Sequence, residues 1–269
     1  MREPPLFTGT PFYKGSIQKI LDNACRDAEK YVTNNIDGVL IENMNDVPYV
    51  QAKHLGPETT AVMSLVCGEV RRLVPSSIPC GVQVLAGGNK EAVAVAHASG
   101  LQFIRAEGYV FSHVADEGFT DSSAGELLRY RRHLGADNVL VFTDIKKKHS
   151  AHAITSDVSL EETARAAEFF CSDGVIITGS ATGDPANPSQ LTGWYHSLIQ
   201  QTCWYHSLIQ QTCWYHSLIQ LTLLNYSVAT KKVCSVPVLI GSGVTAANLS
   251  DYLQANAVIV GTHFKHNGQ

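Results

Sequence analysis

The chain has 269 residues, a formal net charge of −4 and 16% charged residues, and its basic runs are short, which excludes a nucleic-acid footprint. A hydrophobic content of 45% suffices for one α/β barrel of about 250 residues or for two smaller domains. The longest apolar runs have strand length, which excludes membrane insertion, and seven cysteines without CxxC spacing fit free thiols in a reduced, intracellular and cytoplasmic setting. Residues 1–20 lack a basic segment followed by an apolar core, so no secretory signal is expected.

Residues 1–15 are rich in Pro and Gly and read as a loop. A helix from Ser16 to about Thr33 follows, with Ser16 as its cap and apolar residues at helical spacing. Residues 38–41 form a buried strand that ends in Glu42 and Asn43, and a second amphipathic helix covers residues 58–74. Residues 81–85 are a strand, residues 90–99 a helix, and residues 101–104 a strand ending in Arg105. Residues 106–120 read as an irregular loop before a helix over 124–134. A strand over 138–143 ends in Asp144, and a helix over 160–170 starts from Ser159 and Glu162 at capping-box spacing. The strand 174–177 runs into Thr178 and a glycine-rich turn.

Residues 237–262, PVLIGSGVTAANLSDYLQANAVIVGT, read as strand, glycine turn, helix 246–254 capped by Thr245, strand 257–260 and a second glycine turn. Gly241, Ser242 and Gly243 in one turn, and Gly261 and Thr262 in the next, match the way a (β/α)₈ barrel holds a phosphate after its last two strands. Two ordinary tight turns are the alternative.

Seven strands alternating with helices predict a parallel sheet with polar residues gathered at the C-terminal strand ends. The expected fold is a TIM-type (β/α)₈ barrel, a single domain over 1–269 lacking its first strand and last helix; an open doubly wound sheet is the alternative. Strand edges left open by those losses invite association with further copies, a homo-oligomer, or mark an inactive truncated isoform. Between the sixth and seventh barrel strands WYHSLIQ recurs at 194–200, 204–210 and 214–220, a ten-residue period that matches no solenoid unit. Its histidines, His206 and His216 included, lack the spacing of metal ligands, so no metal is expected.

The blocks DGVLIENMNDVPY, KHLGPETTAVM, GELLRYRRHLGADNV, FTDIKKKHSAH, DGVIITGSATGDP and PVLIGSGVTAANL together resemble the BtpA family, named for a photosystem I biogenesis protein. The resemblance covers most of residues 8–262 outside the repeat and implies a ribulose-phosphate-binding type of barrel. It carries over Glu42, Asn43, Asp46 and Pro48, then His54, Gly56, Pro57, Glu58 and Thr59, then Arg105, Asp144, Lys148 and His149. Thr178, Gly179, Thr182, Gly183 and the two late glycine turns complete the match. The chain departs from the family in its opening, in Ala86-Gly87-Gly88-Asn89 after the third barrel strand, and in Gln83 and Glu107, where the family tends to carry Asn. Without the family's opening strand a mitochondrial location stands beside the cytoplasmic one.

Strand-end placement makes Glu42, Asp144, Lys148 and His149 the catalytic candidates and Asn89, Arg105 and Thr178 the substrate-binding ones. Asp144 is the expected general base and Lys148 or His149 its acid partner, in isomerase- or lyase-type proton transfer on a small phosphorylated metabolite. A barrel-rim salt bridge is the alternative for Asp144, and Arg105 either clamps an anion or neutralises Glu42 and Asp144. Three adjacent lysines, 146–148, read as a solvated loop rather than one desolvated amine. Cys67, Cys80 and Cys171 are expected to be buried and inert, and Arg129, Arg131 and Arg132 to lie on a solvated helix face. No cofactor is expected. A non-catalytic assembly or stability factor for a membrane complex is the second function the resemblance implies.

Overall fold

The computed structural model describes residues 10–11, 13, 15–179, 185–187, 234–241 and 243–264. The repeat at 194–220, the loop residues Thr182 and Gly183, and Ser242 lie outside the described residues. The chain divides into two compact units, Met1–Thr143 and Asp144–Gln269.

The first unit opens with α1 (Ile17–Thr33), whose Ser16 cap accepts a hydrogen bond from the Lys19 amide at 3.2 Å. Strand β1 (Val39–Glu42) follows, then α2 (Pro57–Leu73), where Pro57 sits in the first turn and its missing N–H leaves no bond unmade. Helix α2 buries Thr59, Val62, Met63, Val66, Cys67 and Val70, a stripe at spacings of three and four. Each fully buried aliphatic side chain of that stripe contributes about 1.5–3 kcal/mol. Strand β2 (Cys80–Gln83) is buried at all four positions, as a strand covered on both faces must be. Helix α3 (Asn89–Ser99) and β3 (Phe103–Ala106) complete the second βα repeat.

The segment expected to be irregular holds a small antiparallel hairpin, β4 (His113–Ala115) with β5 (Gly118–Thr120). Strands of three residues are too short to show an alternation in sequence, so only pairing reveals them. Helix α4 (Ala124–His133) then leads to β6 (Leu140–Ile145), which runs across the boundary between the units. Strands β1, β2, β3 and β6 pair in parallel in that order. Val82, Ile104 and Val141 lie on the helix-covered face with no exposure, while Gly81 and Phe103 belong to the other. Glycine is needed at position 81 because a Cβ there would run into the Phe103 ring, which packs edge-on against Phe142 at 5.6 Å.

In the second unit the two-residue strand β7 (Ser150–Ala151) precedes α5 (Leu160–Phe169). The capping box is formed as read: Ser159 N–H donates to Glu162 Oε2 at 2.8 Å, and Glu162 N–H donates to Ser159 Oγ at 3.1 Å. Strands β8 (Gly174–Thr178), β9 (Val238–Gly241) and β10 (Ala257–Ile259) pair in parallel, with Thr178 and Ile259 both opposite Gly241. Among the described residues β1 pairs with β2 alone and β10 with β9 alone.

Two expectations fail here. The helix placed over 246–254 is a turn followed by a short 3₁₀ segment, Leu249–Tyr252. Asn248 causes the difference: its Oδ1 accepts from Thr245 N–H at 2.7 Å and from the Thr245 hydroxyl at 3.1 Å, and its Nδ2 donates to Gly243 O at 2.9 Å. A side chain that satisfies the local backbone in this way competes with the helical ladder. Cys171, read as buried, is exposed, with φ of +61° just after α5 beside the exposed Phe169 and Phe170. Cys67 and Cys80 are buried as read; burial pushes both thiols up. The arginine face of α4 is mixed: Arg129 and Arg132 are exposed, whereas Arg131 donates to Val139 O at 3.0 Å.

Candidate functional site

The C-terminal strand ends of the first unit carry a polar row. The register sets Glu42 opposite Gln83 and, by continuation of the Val82–Ile104 pair, Gln83 beside Arg105, which is opposite Phe142. Arg105 Nη1 donates to Glu42 Oε1 at 3.0 Å, with the two side chains 7% and 19% exposed. Strand β2 lies between β1 and β3, so this ion pair crosses the strand that carries Gln83. Of the two readings of Arg105, neutralisation of Glu42 is the one the geometry contains.

Side-chain hydrogen bonds tie the loops around this row. Asn43 accepts from Leu85 N–H at 2.7 Å and donates to Asp46 at 3.0 Å, and Gln51 donates to Glu117 O at 3.1 Å, which joins the loop after β1 to the hairpin. Asn89 opens α3 with its amide fully engaged: Nδ2 donates to Glu107 O at 2.6 Å and Ser123 Oγ at 2.9 Å, while Oδ1 accepts from Glu107 N–H at 3.1 Å. The residue expected to meet substrate therefore fixes the loop after β3. Glu107, buried, accepts from Gly87 N–H at 3.1 Å. The Tyr49 hydroxyl donates to Met44 O at 2.7 Å, and burial, with the nearby carboxylates of Glu42, Glu107 and Asp46, pushes it up to about 12.

In the second unit Asp144 is buried on β6, two residues beyond Phe142 and so on the same face of that strand. The lysine loop that follows is not solvated as read. Lys146 donates through Nζ to Thr155 O at 2.8 Å and to Thr155 Oγ1 at 3.3 Å, and partial burial holds its ammonium below the usual range. Lys147 is 8% exposed, with its carbonyl 3.0 Å from His152 Nε2, and Lys148 N–H donates to Thr178 Oγ1 at 3.0 Å. Lys146 and His149 adopt left-handed φ values of +48° and +54°, strained for residues with a side chain, which brackets the loop. His149 itself is exposed. Lys147 is the functional candidate that sequence reasoning missed, since nothing in a run of identical lysines marks the buried one.

Thr178 closes β8 opposite Gly241, the last residue of β9. Gly243 has φ of +62°, a conformation that only glycine adopts without strain, and Asn248 holds the turn beyond it. Gly261 follows β10, and a Cβ there would meet open space. Thr262 begins a short 3₁₀ segment, Thr262–Phe264, in which Phe264 N–H donates to Gly261 O at 3.0 Å. Without an α-helix after β9 the turn cannot draw on a helix dipole, and any anion it holds is bound by backbone amides. Among the described residues no group of three or more His, Cys, Asp or Glu is placed to hold a metal ion, and no helix is long and apolar enough to cross a membrane.

Comparison with known proteins now bears on this arrangement. A Caenorhabditis elegans protein whose name marks it as mitochondrial is 41% identical over 268 residues, covering 98% of this chain and 83% of its own. The photosystem I biogenesis protein BtpA of Synechocystis is 28% identical over 255 residues, covering 94% of this chain and 75% of its own. Among solved structures, a provisionally named phosphonomutase from Burkholderia cenocepacia aligns with a TM-score of 0.50 at 15% identity, over 87% of this chain and 82% of its own. That likeness concerns the fold alone, which is α/β of the TIM-barrel type, with four parallel strands in the first unit and three in the second. The model of the BtpA family matches residues 4–200, and the chain belongs to the BtpA family.

Proposed function

We propose that the protein binds a small phosphorylated metabolite through its second unit and performs proton-transfer chemistry on it, of the isomerase or lyase kind. One observation carries the reading. Strands β9 and β10 are register neighbours, with Ile259 opposite Gly241, and each is followed closely by a glycine, Gly243 with its φ of +62° and Gly261 before the Thr262–Phe264 segment. Adjacent turns of this kind present backbone N–H groups to an anion, as barrels do after their last two strands. Thr178 ends the neighbouring strand, and Asp144, Lys148 and His149 supply a carboxylate, an ammonium and an imidazole from the end of β6 and the loop beyond it. In this reading Asp144 takes the proton and Lys148 or His149 returns it, with the buried Lys147 adding positive charge on the same loop.

The test is thermal unfolding of the full chain against a panel of phosphorylated sugars and inorganic phosphate. A stabilising ligand whose effect disappears in Gly243→Val, scored as the ligand-induced shift, supports the proposal. The name of the Synechocystis relative favours a second reading, an assembly or biogenesis factor with no small-molecule chemistry. No shift with any phosphorylated compound would favour that reading.

A further inference from the structure

The small hairpin of the first unit serves none of the chemistry above. It turns over Asp116 and Glu117, and its register sets Val114 opposite Phe119. His113 and Ala115 lie on the covered face, whereas Val114 and Phe119 share the other and are 40% and 50% exposed. Strand β5 pairs with β4 alone among the described residues, so its far edge offers backbone N–H and C=O groups. Charge brackets that edge: Asp116 and Glu117 precede β5 and Asp121 follows it, with no Lys or Arg from 106 to 128. Gln51 donates to Glu117 O at 3.1 Å and holds the tip against the loop after β1. Tyr49, in that loop, is pushed up first by burial and then by the carboxylates of Glu42, Glu107, Asp46 and Glu117, which marks a shared negative field there.

We infer that the outer edge and face of β5 form a docking site for an extended protein segment, apolar at its centre and flanked at both ends by Lys or Arg. An extended segment satisfies the open edge by adding a strand, and its apolar side chains cover the Val114–Phe119 pair. Cations at its two ends meet Asp116 and Glu117 on one side and Asp121 on the other. The same carboxylates select the occupant. A second copy of the hairpin laid edge to edge brings like charges together, a device by which natural sheets block self-pairing. An anionic lipid surface meets the same repulsion. The site lies wholly in the first unit and does not depend on the glycine turns of the second.

The probe is the capped peptide Lys-Lys-Val-Thr-Val-Lys-Lys, titrated into the full ¹⁵N-labelled chain, with Glu-Glu-Val-Thr-Val-Glu-Glu as its charge-reversed control. The cationic peptide shifts the backbone amide signals of Gly118–Thr120 and binds severalfold more weakly when salt is raised to about 0.3 M, while the acidic peptide does not bind. Phe119→Thr, at an exposed position where threonine suits a strand, keeps the parent melting temperature and weakens binding about tenfold. The triple variant Asp116→Asn, Glu117→Gln, Asp121→Asn weakens it as much and removes the salt dependence. Equal binding of both peptides, a response unchanged in Phe119→Thr, or no response in the parent overturns the inference. So does binding of the parent to phosphatidylcholine vesicles that Phe119→Thr abolishes, since a lipid surface is then the occupant. The melting response to sugar phosphates decides only the phosphate reading, and Phe119→Thr leaves it unchanged.

Discussion

The two units solve the same problem, ordering the loops at the C-terminal ends of parallel strands, with different materials. In the first unit side chains do it: Asn43, Gln51, Asn89 and Glu107 each tie one loop to another segment, and the charges of Glu42 and Arg105 meet each other. In the second unit the backbone does more of it. Glycine turns follow β9 and β10, the expected helix after β9 is a turn and a 3₁₀ segment, and Asn248 is the main brace. Side-chain networks fix geometry, whereas turns rich in glycine leave N–H groups open to a ligand. The difference teaches that charge at a strand end is not by itself a sign of chemistry.

The largest expected effect breaks the first network at its centre. Arg105→Met leaves the Glu42 carboxylate, 19% exposed, without its cation and costs about 3–5 kcal/mol in chemical denaturation. The double variant Glu42→Gln with Arg105→Met recovers more than half of that loss. Failure of the double variant to recover would mean that the pair is not the unit that matters. Next in size, Asn89→Ala removes three hydrogen bonds at a buried amide and costs about 2–3 kcal/mol, against about 1 kcal/mol for Asn248→Ala, whose three bonds lie in a half-buried turn of the second unit. Equal losses would erase the contrast between the units.

A further effect, confined to alkaline conditions, is read from pH. Tyr49 is raised to about 12 by burial and by the carboxylates around it, above its ordinary value near 10. Above pH 10 the unfolded chain releases this proton while the folded chain retains it, so stability falls as pH rises from about 10 to 12. Tyr49→Phe flattens that slope by at most ~2 kcal/mol over the interval. An unchanged slope would remove the carboxylate-rich surroundings of Tyr49 from the account.

Much of this fold is legible in the sequence, for reasons that differ by element. Ser16 and Ser159 announce their helices because capping is local chemistry, and β8 announces itself by the apolar run Val175–Ile177, as a strand buried on both faces does. The hairpin at 113–120 and the turn at 246–248 escape it, since the first depends on pairing and the second on one asparagine folding back. Strands β3 and β6 each run two residues beyond their expected ends, so Arg105 and Asp144 lie within their strands rather than after them. At the candidate site, residue types at strand ends pointed to Glu42, Arg105, Asp144 and Thr178. Their engagement could not be read: the Glu42–Arg105 pair, the filled amide of Asn89 and the buried Lys147 depend on neighbours far away in sequence.

The most direct test of the phosphate reading is a crystal of the full chain grown with a stabilising sugar phosphate. The account predicts phosphate density within hydrogen-bond distance of the backbone amides of Gly241–Gly243 and of Gly261 or Thr262. A phosphate bound elsewhere on the chain, with both turns empty, would contradict it.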